Sequence, residues 1–438
     1  MSISLRNGLY VWRYQGTRMF FRLLLFKLHL SGTDPTPEQA AAAFQPDGRG
    51  RVAAPEVTRE RFQSCGPLLV YSVPPASPPR ISIVTDSINS GSLYGGVGTA
   101  MILGALLAES RQARLRIVTR TERARPGNLD HVLSLYGIEL SSEAEFAFAP
   151  SFETSYPEID VLPNEQFLTT SWWTTAATMA SVPHESIVYL LQEDERTFYA
   201  FGDDRVRCEA VMGSSDIRFV LNTRLLFDHL VASGLGNIAA RGTYFEPAFP
   251  REIFHPRTRP EAGKRTLVFY ARPNNLRNLF YFGVEVLEDA IAKGVLDTDA
   301  WDIVFVGKDV PELVFSNGYV PRRYQNLAWA EYAELAGSVD VGLCLMVSVH
   351  PSYPPLDLAA SGAVVVTNRW GAKTDLNAYS RNILCGDLSR EAMVATLADG
   401  LRLAADEPAR TQNHLSCGIA TDWRDALRDI VAEFAGST

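Results

Sequence analysis

The sequence predicts an α/β protein of two open βα domains, preceded by an N-terminal extension. Three observations carry this. Short runs rich in Val and Ile, of the length of buried parallel strands, alternate with apolar helical stretches. The alternation breaks at residues 242–256, GTYFEPAFPREIFHP, which reads as a hinge, and restarts at Thr266. The 438 residues leave room for two domains of ordinary size and an extension.

In the first domain, residues 80–86 (RISIVTD) read as a buried strand, followed by a glycine loop and a helical run at 100–107. Gly95 and Gly96 permit a tight turn and close approach of a ligand to the backbone. The dinucleotide pattern GxGxxG is absent there, so the loop reads as either a plain turn or a binding loop. Further strands are expected at 114–119, 186–191 and 218–222, with Thr223 opening a helix to Ser233. Trp172 and Trp173 offer aromatic faces on which a sugar can stack, and adjacent positions point apart, so one of them belongs to the core. Glu193 and Asp194 follow a strand at its C-terminal end, where ligands bind in open α/β sheets; they are either acceptor contacts or a solvated loop.

In the second domain, strands are expected at 266–270, 301–306 and 341–346, and helices at 278–292, 330–338 and 390–404. Arg272 and Arg277 lie five apart at a strand-to-helix turn, and guanidinium forks match phosphate oxygens. Lys308 follows the next strand through Gly307. These three cations with the helix start described next read as a diphosphate cradle, with Gly307 and Lys308 as donor-binding residues. The chain is organised around residues 347–368, VSVHPSYPPLDLAASGAVVVTN. A proline-stiffened loop leads into a helix at 356–361 with Asp357 in its first turn; Gly362 caps it and a valine-rich strand follows. Such a helix start is a ready anion site. Asp357 either accepts sugar hydroxyls or only complements the helix dipole.

The net charge of −9 argues against general nucleic-acid binding. Cys65, Cys208, Cys344, Cys385 and Cys417 are odd in number and widely spaced, which reads as free thiols in a reducing compartment. No run has the length of a transmembrane helix, and no cleavable signal is apparent. Residues 19–30, MFFRLLLFKLHL, read either as a helix packed on the protein's own body or as a basic amphipathic helix on a membrane surface. The expected placement is cytoplasmic, with peripheral membrane contact as an option. The expected domains are 1–60, the extension; 61–245 with a returning C-terminal segment 420–438; and 246–419.

The second domain resembles the nucleotide-sugar domain of retaining GT-B glycosyltransferases of family 4. More closely, the chain is similar to WsaF-type rhamnosyltransferases. The shared phrases are SLYGGVGTA (92–100), TSWW (170–173), YLLQEDE (189–195), FYAFG (198–202), LNT (221–223), FYARPNNLRN (269–278) and HPSYPPLDLAASG (350–362). The resemblance implies a GT-B fold, two Rossmann-like domains facing across a cleft. It implies transfer of a sugar, with retention, from a nucleotide-sugar donor such as dTDP-L-rhamnose to a glycan or lipid-linked glycan acceptor. No metal or other cofactor is implied. By position, Arg272 and Arg277 would hold the diphosphate, Asp357 the ribose, and Ser352, Tyr353 and Pro354 at the helix start would cap the phosphates or the sugar. Leu327 would reach the base, and Gly95 and Gly96 would approach the donor from the first domain. The wider family carries an acidic pair eight residues apart; here Val349 stands at the first place, with His350 beside it to take that place near the sugar as a donor-binding residue, and the second acid is Asp rather than Glu. A GT-B-fold epimerase or hydrolase and a non-catalytic glycan- or nucleotide-binding module are the alternative readings.

Overall fold

The computed structural model describes residues 53–75, 78–89, 95–151, 158–257 and 263–435. The chain divides into two units, Met1–Arg61 and Phe62–Thr438. In the first, helix α1 (Ala54–Arg61) is described; residues 19–30 lie outside the described residues.

The second unit holds two all-parallel sheets. Seven strands form the first: β2 (Arg80–Thr85), β3 (Arg114–Thr119), β4 (Glu145–Phe148), β6 (Glu165–Thr169), β7 (Ile187–Leu191), β8 (Arg218–Asn222) and β9 (Gly242–Phe245). Their order is β4-β3-β2-β6-β7-β8-β9. A separate parallel pair joins β1 (Val70–Ser72) to β5 (Ile159–Val161). β2, β6 and β7 are buried along their whole length, as expected of a sheet covered on both faces. Helix α2 (Gly96–Ser110) lies on this sheet, with an unbroken buried run from Gly98 to Ala108. Its Gly104 permits the approach, since a Cβ there would sit 2.6 Å from Ile83 Cδ1.

The second sheet has six strands: β10 (Arg265–Ala271), β11 (Trp301–Gly307), β12 (Arg322–Gln325), β13 (Val341–Leu343), β14 (Val364–Asn368) and β15 (Ile383–Gly386). Their order is β12-β11-β10-β13-β14-β15. Both sheets therefore reverse direction once, the first between β2 and β6 and the second between β10 and β13. In open α/β sheets the crevice outside the strand ends at such a reversal is where ligands bind. Helices α8 (Phe280–Ala292) and α11 (Arg390–Ala405) share a core with the second sheet.

Three expectations need correction. The stretch read as a hinge begins with a strand, because Gly242–Phe245 is β9, paired with β8. The run 422–434 has the pattern of one amphipathic helix, but it is broken at Leu427 into α13 (Trp423–Ala426) and α14 (Arg428–Ala435). Trp423, Leu427, Ile430 and Phe434 nevertheless pack in one core with Ile81, Ile83 and Leu103 of the first sheet and α2. Finally, β6 escapes a search for apolar runs because it starts on the buried Glu165. That carboxylate receives Arg80 Nη2 at 2.8 Å and Arg116 Nη2 at 2.5 Å, tying three strands together at their N-terminal ends, away from the reversal crevice. Buried charge is tolerated there because each guanidinium meets the carboxylate.

Gly307, read as a binding residue, has a packing reason to be glycine. It pairs with Ala271, and a Cβ on it would lie 1.8 Å from Ala271 O. Gly307→Ala is expected to cost about 1–3 kcal/mol, the scale of overpacking. Gly127→Ala, where a Cβ meets nothing within 4 Å, is expected to be neutral. Thermal unfolding of the two variants checks this; equal melting temperatures would contradict the packing account.

Candidate functional site

Residues from the ends of β10, β11 and β13 gather at the reversal of the second sheet. Arg272 follows β10 directly, is half-buried, and has its Nη1 3.5 Å from Tyr270 OH. Lys308 follows β11 and is exposed. Leu327, just before helix α9 (Trp329–Ala336), is half-buried against a core that includes Val304 and Val306 of β11 and Val365 of β14.

After β13 the chain forms a tight loop and then helix α10 (Tyr353–Ala360). The helix starts three residues earlier than its sequence suggests, so Asp357 lies in the second turn. A dipole role fades there, because the effect falls off within the first turn. Pro354 and Pro355 sit in the first turn, as expected, but they carry no N–H. The Ser352 amide is also spent, donating to His350 Nδ1 at 2.9 Å. The helix start thus keeps its field but has lost most of the donors that made it an anion site. Ser352 itself has φ 72° and turns its hydroxyl to Met346 Sδ at 2.7 Å rather than capping the helix.

Asp357 is 8% exposed, and its one described side-chain partner is Tyr332, which donates to Oδ2 at 3.2 Å. Burial pushes its carboxyl up to about 8, with the Tyr332 hydrogen bond opposing. A protonated carboxyl both donates and accepts, which suits a ribose diol.

Glu193 ties the two sheets together. It follows β7 of the first sheet, and its Oε2 accepts from Arg277 Nη1 at 2.8 Å and from Ser348 Oγ at 2.6 Å, both of the second domain. Phe198 lies under the same guanidinium at 4.3 Å. Arg277, read as a diphosphate clamp, is therefore occupied by an internal carboxylate. Burial pushes the Glu193 carboxyl up, and the Arg277 charge opposes this. A second tie runs through Tyr353. Its hydroxyl accepts from Asn222 Nδ2 at 2.9 Å, at the end of β8, and lies 2.6 Å from Thr99 Oγ1 of α2. Gly96 lies beneath Gln192, whose Nε2 donates to Gly96 O at 2.6 Å; the side chain of Gln192 covers the backbone a donor was expected to approach. Gly95 has open space around its Cα.

At the reversal of the first sheet stand Asp86, after β2, and Trp173, in the first turn of helix α4 (Trp172–Met179). Trp173 is half-buried and its Nε1 donates to both Asp86 oxygens at 3.0 Å. Trp172 is core: it is 2% exposed, meets Trp173 edge-to-face and donates from Nε1 to Tyr199 OH at 2.9 Å. Asp194 is 5% exposed. It is buried in a two-point pair with Arg196, at 2.8 and 2.9 Å. Burial alone would raise its carboxyl, but hydrogen bonds from His229 and Arg196 outweigh that and hold it at about 2. Its neighbour Glu195, which sequence reading passed over, takes the Trp172 amide at 2.8 Å and is pushed up to about 8 by burial.

Sequence reading also missed Lys373. It sits in a tight turn after β14, closed by paired backbone hydrogen bonds with Trp370 at 2.9 and 3.0 Å. Its side chain is fully buried, and burial pushes the ammonium down to about 8. The signal available was a lysine (GAK, 371–373) just past a valine-rich strand.

The raised Asp357 carboxyl has a consequence for stability. The folded state holds a proton up to about pH 8 that the unfolded chain releases near 4, so this group costs stability progressively between those values. Asp357→Asn should therefore gain on the wild type as pH rises from 4 to 8. Melting temperatures at pH 5 and pH 8 test this; a gap independent of pH would contradict it.

Comparison with known proteins follows the same geometry. The family model for the WsaF N-terminal domain matches residues 80–217, and that for the WsaF C-terminal domain matches residues 265–398. The O-antigen biosynthesis protein RfbC of Myxococcus xanthus is 28% identical over 319 residues, which is 71% of this chain and 24% of that protein. The aligned segment thus spans about a quarter of that relative's length. WaaG, a glycosyltransferase involved in lipopolysaccharide biosynthesis, superposes with a TM-score of 0.54 at 12% identity, over 82% of this chain and 100% of its own. Anabaena Alr3699/HepE, solved with UDP and glucose, gives 0.55 at 10% identity, over 82% and 99%. Sucrose-phosphate synthase from Thermosynechococcus elongatus gives 0.54 at 11%, over 81% and 98%. At these identities the structures speak to the fold, which is GT-B. The two matched domains lie on its two parallel sheets, and the chain belongs to the WsaF family.

Proposed function

We propose that this protein is a retaining glycosyltransferase that moves a sugar from a nucleotide-sugar donor onto a glycan acceptor in cell-surface polysaccharide synthesis. The observation that carries this is the gathering of Arg272, the His350–Tyr353 loop and buried Asp357 at the reversal of the second sheet in a WsaF-family chain. The family resemblance favours L-rhamnose carried on thymidine diphosphate. The Myxococcus relative is an O-antigen biosynthesis protein, which supports a polysaccharide product.

In this reading the leaving group is a nucleoside diphosphate, whose growing negative charge needs preorganised donors. Arg272 supplies one. Arg277 supplies another once Glu193 yields it. Asp357 holds the ribose, and Leu327 lies on the base side. Trp173 and Asp86 at the first sheet's reversal offer an aromatic face and a carboxylate to the acceptor sugar. The bond from the anomeric carbon to phosphate oxygen breaks as the acceptor oxygen bonds on the same face. The acceptor's proton passes to the departing phosphate. Preorganised charge and positioning, rather than a protein nucleophile, then lower the barrier.

Turnover measured as nucleoside diphosphate release and glycosylated product, with dTDP-L-rhamnose and a glycan acceptor pool, tests the reading. Arg272→Ala is expected to lower the rate by about 10²-fold or more, the scale of losing one preorganised donor. A wild-type rate in that variant would remove Arg272 from the site.

A further inference from the structure

We propose that Lys373 Nζ and His350 Nε2–H together form a phosphate-binding subsite, which takes the sugar-bearing phosphate of a nucleoside diphosphate donor. The proposal rests on the transferase reading above and adds two groups whose donors the fold leaves largely unmet.

Two unmet donors point there. The Ser352 amide donates to His350 Nδ1, so Nδ1 is the acceptor and the ring proton sits on Nε2. His350 is 4% exposed, and Nε2 has no hydrogen-bond partner. Burial, then the charges of Lys373 and Arg277, push the ring down to about 3, so it stays neutral and Nε2–H remains a donor at any working pH. An orphaned buried N–H costs free energy unless something accepts from it. Lys373 is the second. Among the described residues its ammonium has one hydrogen bond, a long one of 3.4 Å to Met346 O, and no carboxylate lies within ion-pair distance. Glu193 acts on it only through space, with no ion-pair contact, and a fully buried ammonium with no anion in contact is expensive. Several kinds of observation place the two near one another. Met346 O accepts from Lys373, and Met346 Sδ accepts from Ser352, next to His350 in the loop. The Lys373 turn is packed on that loop too, since a Cβ on Gly371 would lie 2.9 Å from Val349 Cγ1.

The place in the fold fits a phosphate. Lys373 follows β14, the neighbour of β13, and His350 follows β13 beside the reversal. The helix start below them cannot do the work alone, because Pro354 and Pro355 carry no amide hydrogens and the Ser352 amide is spent. Lys308, the other cation expected for this role, is exposed, and Arg277 is held by Glu193. A buried ammonium and a neutral N–H donor supply one positive charge and up to three hydrogen bonds without a full countercharge, which suits an anion that must leave again after turnover.

The test is calorimetric titration of the full chain with thymidine diphosphate, thymidine monophosphate and inorganic pyrophosphate. The variants are Lys373→Met, which keeps the length without the charge, and His350→Asn, which keeps an acceptor for the Ser352 amide but removes the Nε2 donor. Melting temperatures confirm that both fold. In wild type the diphosphate is expected to bind more tightly than the monophosphate. Lys373→Met should weaken thymidine diphosphate and pyrophosphate roughly 10- to 100-fold, the scale of a charged hydrogen bond, while monophosphate binding changes less. His350→Asn should lose in the same direction by a smaller factor. Diphosphate binding unchanged in both variants overturns the subsite and leaves the transferase reading standing. Failure of wild type to bind thymidine diphosphate overturns both.

Discussion

The carboxylate of Glu193 is the contact on which the rest of the crevice depends. It leaves the first sheet after β7 and is held by Arg277 and Ser348 of the second domain, at 2.8 and 2.6 Å. A buried carboxylate is costly unless its oxygens are paired, so this contact fixes how the strand ends of one sheet meet those of the other. Tyr353 makes a second fastening, with its hydroxyl between Asn222 and Thr99. Both ends of this second fastening lie beside backbone that is hard to form. Thr223, beside Asn222, has φ 78°, and Ser352, beside Tyr353, has φ 72°. Such residues cost on the order of 1–3 kcal/mol each, persist where the surroundings over-determine them, and cluster at functional sites.

The same contact sets the electrostatics. Arg277 is the cation nearest in sequence to the diphosphate role, yet its guanidinium already has an anion. In the proposed reading, a donor at this edge competes with Glu193 for Arg277. The raised Glu193 carboxyl is in keeping with this, because a carboxylate that protonates readily gives up its partner at lower cost. The prolines at the start of α10 fix the helix entry and remove amide donors there.

Much of the architecture was legible in the sequence, because strands buried on both faces appear as short valine- and isoleucine-rich runs. β2, β7, β10, β11 and β14 stand where those runs lie. What was hidden was hidden by charge or by exposure. β6 begins on Glu165, whose countercharges come from Arg80 and Arg116 far along the chain. β12, RRYQ, is an edge strand with largely exposed side chains and carries no apolar signal. In the site, the loop from His350 and the residues after β10 announce themselves by proline and arginine spacing. Partnership does not. Nothing local says that Asp194 is satisfied by Arg196, that Arg277 is claimed by Glu193, or that Lys373 is buried with no ion-pair contact among the described residues. Those facts depend on which strand ends become neighbours, and sheet order is a long-range property of the chain.

The account turns on a nucleoside diphosphate site at the reversal of the second sheet, and calorimetric titration with thymidine, uridine and guanosine diphosphates, repeated on Asp357→Ala, tests it most directly. Selective binding of one nucleotide at one site per chain, weakened when the buried carboxyl is removed, is the predicted result. Binding of none of the three would contradict the account and return the loop from His350 to Tyr353 to a purely structural role.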